Sequence, residues 1–267
     1  MTELPVNKII WGDCIEVMKD FPDKSVDMVL CDLPYGVIEC EWDVVIPFPT
    51  LWRQYKRIIK DTAAIVLTAT QPFTTLLISS NLAMFKYCWY WKKTKPNGWP
   101  HSKNRPMTII EECCVFSKAP SGHLSQLGES RMVYNPQGVV SDVTRTISKT
   151  AFGSTLGSHP NQVGKVYESF TGFPNNLLKF ANITGSQVLH PTQKPVGLFE
   201  YLIQTYTSEG DVVLDNCIGS GTTAVAAINT NRKFIGIDSS RDYCSLATNR
   251  AREAALAKKR NKFSRAR

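Results

Sequence analysis

Five consecutive residues, Asp32-Leu33-Pro34-Tyr35-Gly36, follow an apolar run, Val26-Asp27-Met28-Val29-Leu30-Cys31. A carboxylate, a rigid turn and an aromatic ring are thereby delivered together at the mouth of a buried strand. A carboxylate accepts hydrogen bonds from an amine, and an aromatic ring stacks on the planar group that carries it. The set suits chemistry on an exocyclic amine.

A second constellation runs Val212-Val213-Leu214-Asp215-Asn216-Cys217-Ile218-Gly219-Ser220-Gly221-Thr222-Thr223-Ala224. It reads as a strand, a glycine turn and the start of a helix. Glycines let the backbone approach a ligand closely, and the helix beginning at Thr222 offers unpaired N–H groups. Gly219, Gly221 and Ala224 satisfy G-x-G-x-x-G/A, with Asp238 about 20 residues on in the position of a ribose anchor. Alone, this pattern fits a nicotinamide dinucleotide as well as S-adenosylmethionine, and Asp238 also reads as an N-cap for a helix starting at Arg241. Asp215 favours the second cofactor. A carboxylate there would repel a pyrophosphate but can hold the ammonium of a methionine moiety.

His190-Pro191-Thr192-Gln193-Lys194-Pro195 leads into the helix before the glycine strand. The prolines fix an extended approach, and Pro195 suits the start of a helix. Beside a methionine-binding loop, Thr192 and Lys194 form a candidate clamp for a carboxylate.

Two basic stretches stand out. From Arg250 to Arg267 eight basic residues face one acid, Glu253, and carry most of the net charge of +8. This tail reads either as a solvated, frayed end or as a grip on phosphates. From Trp91 to Pro106 there is no acid, and Lys92, Lys93, Lys95, His101, Lys103 and Arg105 are interleaved with tryptophans. Cations with exposed aromatics suit a nucleic-acid groove. Trp89 and Trp91 read as core residues of a strand, leaving Trp99 exposed. The candidate nucleic-acid contacts are therefore Lys92, Lys93, Lys95, Trp99, Lys103 and Arg105.

Stepping outward, these residues need a scaffold. Candidate strands are Lys8–Ile10, Val26–Cys31, Ala64–Thr68, Tyr87–Trp91, Ile110–Phe116, Val212–Leu214 and Phe234–Ile237. Candidate helices are Cys14–Lys19, Thr50–Ile59, Gln71–Ser80, Pro195–Tyr206, Thr222–Asn229 and Arg241–Lys259. Apolar strands alternating with helices imply an α/β fold, with a mostly parallel sheet covered on both faces. From Ser117 to Ser186 the chain is rich in Gly, Ser, Asn and Pro with little periodicity, and reads as an irregular insertion. With 267 residues, 43% of them hydrophobic, the chain can build a substantial core. No apolar run approaches the roughly 20 residues of a membrane span, and the first residues lack a signal-peptide pattern, so a cytoplasmic protein is expected. Eight cysteines include no C-x-x-C pair, and the four histidines are scattered. Reduced, buried thiols and no metal site are expected.

Together these motifs resemble the beta group of DNA amino-methyltransferases. Asp32-Leu33-Pro34-Tyr35 is similar to the D-P-P-Y signature. His190–Pro195 and Asp215–Gly221 resemble the H-P-T-Q-K-P and D-x-F-x-G-x-G elements, in the order of that group. Gly12-Asp13-Cys14 and Gly236-Ile237-Asp238 fall where the family places its adenine- and ribose-binding turns. Tyr134-Asn135-Pro136-Gln137 and Phe173-Pro174 are also similar to segments of related enzymes. The resemblance extends to about Ala251.

The resemblance implies a Rossmann-like, circularly permuted methyltransferase fold in which the strands ending at Asp32 and Asp215 lie side by side. It implies residues 1–116 as the catalytic half, 117–186 as an inserted target-recognition region, 187–250 as the cofactor half and 251–267 as a basic tail. S-adenosylmethionine would be held by Asp13, Cys14, Thr192, Lys194, Asp215, Cys217, Gly219, Gly221, Thr222 and Asp238. The substrate implied is double-stranded DNA, with N6 of a flipped-out adenine as methyl acceptor and N4 of cytosine as the alternative. A homodimer is compatible with the group; a restriction-nuclease partner is not legible. Asp32, Leu33, Pro34 and Tyr35 would form the catalytic set, with the Asp32 carboxylate and the Leu33 carbonyl accepting the amine protons and Tyr35 stacking on the base. Two departures from the signature occur. Leu33 replaces a proline but keeps the main-chain carbonyl, and Cys217 replaces a phenylalanine, which alters packing beside the cofactor.

Overall fold

The computed structural model describes residues 3–36, 43–146, 166–185 and 193–265. Strands β1 (Lys8–Trp11), β2 (Val26–Asp32), β3 (Ile59–Ala69), β4 (Phe85–Asn97), β5 (Thr108–Phe116), β8 (Leu177–Lys179), β9 (Val212–Asp215) and β10 (Lys233–Asp238) form one sheet. Two further strands, β6 (Val140–Thr146) and β7 (Val166–Thr171), pair separately. The order in the large sheet is β1-β10-β9-β2-β3-β5-β4-β8. Every neighbouring pair is parallel except β3 with β5 and β5 with β4.

Alternation along the strands sends successive side chains to opposite faces, and each face has its own core. Val29, Cys31, Ile65 and Leu67 pack on one side with helices α1 (Cys14–Lys19), α2 (Phe48–Ile58) and α3 (Phe73–Ser79), through Met18, Tyr55, Ile58 and Phe73. Met28, Leu30, Ala64 and Val66 pack on the other side with α5 (Val196–Tyr206), α6 (Thr222–Asn229) and α7 (Arg241–Arg265), through Leu198, Leu202, Ala224 and Ala247. The sheet is doubly wound, as the uniformly apolar strands imply.

The permuted order appears in the register. Met28 lies opposite Val213 and Val29 opposite Leu214, so β2 and β9 run side by side, and β2 reaches Asp32 beyond the level of Asp215. From β9 the sheet continues through β10 and β1 on one side, and from β2 through β3 on the other. Ligands of open α/β sheets bind at such a reversal, outside the carboxyl ends of the strands.

Three expected boundaries shift. Strand β3 begins at Ile59, where α2 ends without an intervening turn. The basic residues after Arg250 are not a frayed tail: α7 continues to Arg265. Arg250 donates to the Ser220 carbonyl and to Ser220 Oγ (3.0 Å), and Lys258 donates to the carbonyls of Ile228 and Asn229. Cations at those last carbonyls of α6 complement its dipole. The insertion is also shorter than expected. Residues 136–175 form a compact unit built on the antiparallel β6–β7 pair, whereas the chain before it belongs to the main unit. Ala119 and Met132 are buried there, and Val133 N donates to the Thr62 carbonyl. A short helical turn, α4 (Leu124–Leu127), lies in this stretch. Among the described residues, no helix is long and apolar enough to cross a membrane.

Candidate active site

The carboxyl ends of β1, β10, β9 and β2 border a cavity of about 370 Å³, within the ~300–1,000 Å³ of small-molecule and cofactor pockets. It brings together Asp13 and Cys14, Asp32 to Tyr35, Lys194, Asp215, Cys217, Gly219, Thr222 and Asp238, from separated parts of the chain. Thr192 lies outside the described residues.

The glycine turn is shaped by packing. Gly221 caps α6 with φ +85°, and a Cβ there would lie 2.8 Å from Ala247 Cα of α7, so only glycine fits. Asp215, at the tip of β9, is almost wholly buried. Its Oδ1 accepts from Cys217 N (3.0 Å) and its Oδ2 from the Thr223 hydroxyl (2.5 Å). Burial nevertheless pushes its carboxyl up to about 7, with the nearby Asp32 charge adding to the rise. A buried carboxylate in need of a cation, on the wall of a ligand-sized cavity, fits the ammonium of a methionine moiety.

Asp238 is not the N-cap of α7. Its Oδ2 accepts from Gly219 N and its Oδ1 from Ser240 N, both at 2.9 Å, tying the glycine turn to β10. Asp13 does cap a helix: its Oδ1 accepts from Ile15 N (2.8 Å) and Glu16 N (3.0 Å) of α1. Cys14 and Cys217 face one side-chain amide, Asn216 Nδ2, at 3.6 and 3.5 Å. The position that departs from the family's phenylalanine is thus occupied by a thiol pair beside the cavity.

The amine-facing group is held tightly. Thr68 is the register partner of Asp32 across β2–β3, and its hydroxyl donates to Asp32 Oδ1. The Tyr35 hydroxyl donates to the same oxygen at 2.7 Å. Burial, then the Asp32 charge, raise the Tyr35 phenol well above its ordinary range, so it remains a donor. One face of the Tyr35 ring stacks on Phe73, with centroids 5.0 Å apart. Asp43 fixes the turn by accepting from Tyr35 N (2.7 Å) and Gly36 N (3.0 Å). The Leu33 side chain is buried in the core, which accounts for an apolar residue at the position of the family's proline.

Lys194 lines the cavity and meets two carboxylates. Its ammonium is buried, with 6% of the side chain exposed, and lies 2.7 Å from Asp32 Oδ2 and 3.4 Å from Glu111 Oε2. Burial works against the cation, but Asp32 and Glu111 outweigh it and hold Lys194 above its usual range. Lys93 in turn binds Glu111 Oε1.

Lys93 therefore leaves the set of candidate DNA contacts. Its side chain is 3% exposed and its charge is matched inside the protein. Lys92, Lys95, Lys103 and Arg105 are exposed, as is Trp99 at 75%, while Trp89 and Trp91 are core residues as expected. Strand β4 runs parallel to β2 and β3 through two antiparallel steps, so its basic end lies on the same edge of the sheet as Asp32.

Thr68, Asp43, Glu111 and Asn216 were missed from sequence. Glu111 carried a signal, because a charged residue in an apolar strand must find a buried partner. Thr68, Asp43 and Asn216 belong to no local pattern.

A doubly wound, permuted sheet with an acidic cofactor turn beside an acid–aromatic turn defines the S-adenosylmethionine-dependent methyltransferase class. Residues 26–249 match the N6/N4 DNA methylase family, and the chain belongs to that family. It is 26% identical to the type II methyltransferase M1.MboII of Moraxella bovis over 258 residues, covering 91% of this chain and 96% of that protein. The fold is similar to that of M1.HpyAVI in complex with S-adenosylmethionine, with a TM-score of 0.59, 23% identity, and 91% and 98% of the two chains covered. It is also similar to that of the cytosine-N4-specific PvuII DNA methyltransferase, with a TM-score of 0.61, 16% identity, and 93% and 90% covered. The protein is thus an S-adenosylmethionine-dependent DNA methyltransferase acting on an exocyclic base amine. Family membership sets aside the nicotinamide reading of the glycine turn.

Proposed function

We propose that the protein methylates N6 of an adenine flipped out of double-stranded DNA at a specific sequence. The observation that carries this reading is the ending of β2 and β9 side by side, which puts an amine-accepting turn and a cation-seeking carboxylate in one cavity. S-adenosylmethionine, when bound, supplies an electrophilic methyl group. The Asp32 carboxylate and the Leu33 carbonyl accept the two amine protons, which aims the nitrogen lone pair and stabilises positive charge as it develops there. Tyr35, backed by Phe73, offers a ring for the flipped base to stack on. Asp215 holds the ammonium of the cofactor, Asp238 its ribose, and the Asp13–Cys14 turn its adenine. Asp32 favours adenine over cytosine, because N4-specific relatives more often carry serine at that position.

Methylation at C5 of cytosine would need a nucleophilic thiolate. Burial pushes the Cys31 thiol up to about 12, which argues against that chemistry.

The exposed Lys92, Lys95, Trp99, Lys103 and Arg105, on the site's edge of the sheet, would contact phosphates and bases. Arg252, Lys259 and Arg260 of α7, also exposed, would add phosphate contacts. The 136–175 unit, lying between the motifs in sequence, is the proposed reader of the target sequence. Replacing Asp32 with Asn tests the catalytic assignment: methylation should fall at least a hundredfold while affinity for S-adenosylhomocysteine stays within about threefold. Full activity in D32N would sink it.

A further inference from the structure

Lys194 belongs to a motif that on sequence grounds serves the cofactor's carboxylate, yet its ammonium sits on the opposite partner. We infer that Lys194 is a positioning residue for the target amine, holding the Asp32 carboxylate aimed; this rests on the reading of Asp32 as the amine acceptor. An ionised carboxylate offers about four acceptor positions. The Tyr35 and Thr68 hydroxyls take two on Oδ1, and Lys194 takes one on Oδ2. About one position remains, on Oδ2, which fixes where an amine N–H can bind.

The charges form an alternating chain, Lys93–Glu111–Lys194–Asp32, joining residues from β4, β5, the turn before α5 and β2. Glu111 Oε2 is buried and lies 3.4 Å from the Lys194 ammonium. The shorter contact of Lys194 is to Asp32, at 2.7 Å against 3.4 Å to Glu111. Around Asp32 the other groups that bear or can acquire charge are Glu111, Asp215, the Tyr35 phenol and the Cys31 and Cys113 thiols. Each of these, ionised, is an anion. Without Lys194, Asp32 Oδ2 loses the contact that orients it.

Lys194→Gln and Lys194→Arg distinguish this role from a cofactor clamp. Two quantities are measured: the dissociation constant of S-adenosylhomocysteine by calorimetry, and the single-turnover methylation rate at saturating cofactor and DNA. For K194Q the expected result is a dissociation constant within about threefold of the wild type, with a rate about a hundredfold lower. K194R should restore part of that rate. A tenfold or greater loss of cofactor affinity with a normal saturated rate would overturn the inference in favour of the clamp. Unchanged rate and affinity would reduce Lys194 to a structural ion pair and overturn it equally. Should K194Q fail to fold, Glu111→Gln tests the next link: a lower rate at unchanged cofactor affinity supports the inference, and a wild-type rate contradicts it. Wild-type enzyme is the control for the underlying reading. If it methylates no base at all, the Asp32 assignment fails and takes this inference with it; loss confined to the variants does not touch that assignment.

Discussion

Lowering the pH from 8 to 6 is expected to weaken binding of S-adenosylhomocysteine about tenfold, with Asp215 as the cause. The Asp215 carboxyl is lifted from 3.8 to about 7, chiefly by burial, against the opposing pull of the Thr223 hydroxyl, the Cys217 N–H and the Cys31 thiol. At pH 8 roughly nine-tenths of it is ionised, and at pH 6 roughly one-tenth. On the proposed assignment only the ionised form pairs with the ligand's ammonium, so affinity follows that fraction, about 1.4 kcal/mol over the interval. The sign for the ligand-free protein is opposite. A carboxyl whose folded pKa is raised contributes stability that is fully present below its unfolded pKa and lost as pH rises through about 7. The rise corresponds to an effect on the order of 4 kcal/mol, which a bound cation would offset. Titration calorimetry at pH 6, 7 and 8 reads the effect directly. Methylthioadenosine, which lacks the amino-acid portion, serves as the control and should bind with little pH dependence, as should S-adenosylhomocysteine to Asp215→Asn. Equal pH dependence for both ligands, or none for either, would refute the reasoning.

Other outcomes follow from the same geometry. Gly221→Ala places a Cβ against α7 at a positive φ and should cost at least 1–3 kcal/mol, read as a lower unfolding midpoint. Replacing Lys92, Lys95, Lys103 or Arg105 with Gln should each reduce the salt slope of DNA binding by about one, measured by fluorescence anisotropy across a salt series. Lys93→Gln should leave that slope unchanged and instead destabilise the fold by about 3–5 kcal/mol, because it strips Glu111 of a buried partner. Trp99→Ala should weaken single-strand binding by about 1–3 kcal/mol if its exposed ring stacks on a base.

The scaffold was legible because its signals are local. Apolar runs marked strands β1, β2, β4, β5, β9 and β10 to within a few residues, apart from the far end of β4. Motif order implied that β2 and β9 would be neighbours, and the register agrees. Other features had weaker signals or none. The polar start of β3, Lys60-Asp61-Thr62, resembles a turn by composition, and the strand is set there by pairing with β2. Lys93 was legible in principle: two-residue alternation puts it on the face of Trp89 and Trp91, and a basic cluster masked that pattern. The direction of Lys194 was not legible, since it depends on Glu111 and Asp32 converging from distant parts of the chain. Asp43 and Asn216 stayed hidden for the same reason: their partners are backbone amides, a phenol and thiols that only the fold brings near.

The central claim, methyl transfer to an adenine amine, is tested most directly by product analysis. The enzyme is incubated with unmethylated double-stranded DNA and isotopically labelled S-adenosylmethionine, and the digested nucleosides are resolved by mass spectrometry. Labelled N6-methyladenine is the predicted product; labelled N4-methylcytosine, or no labelled nucleoside, would contradict the claim.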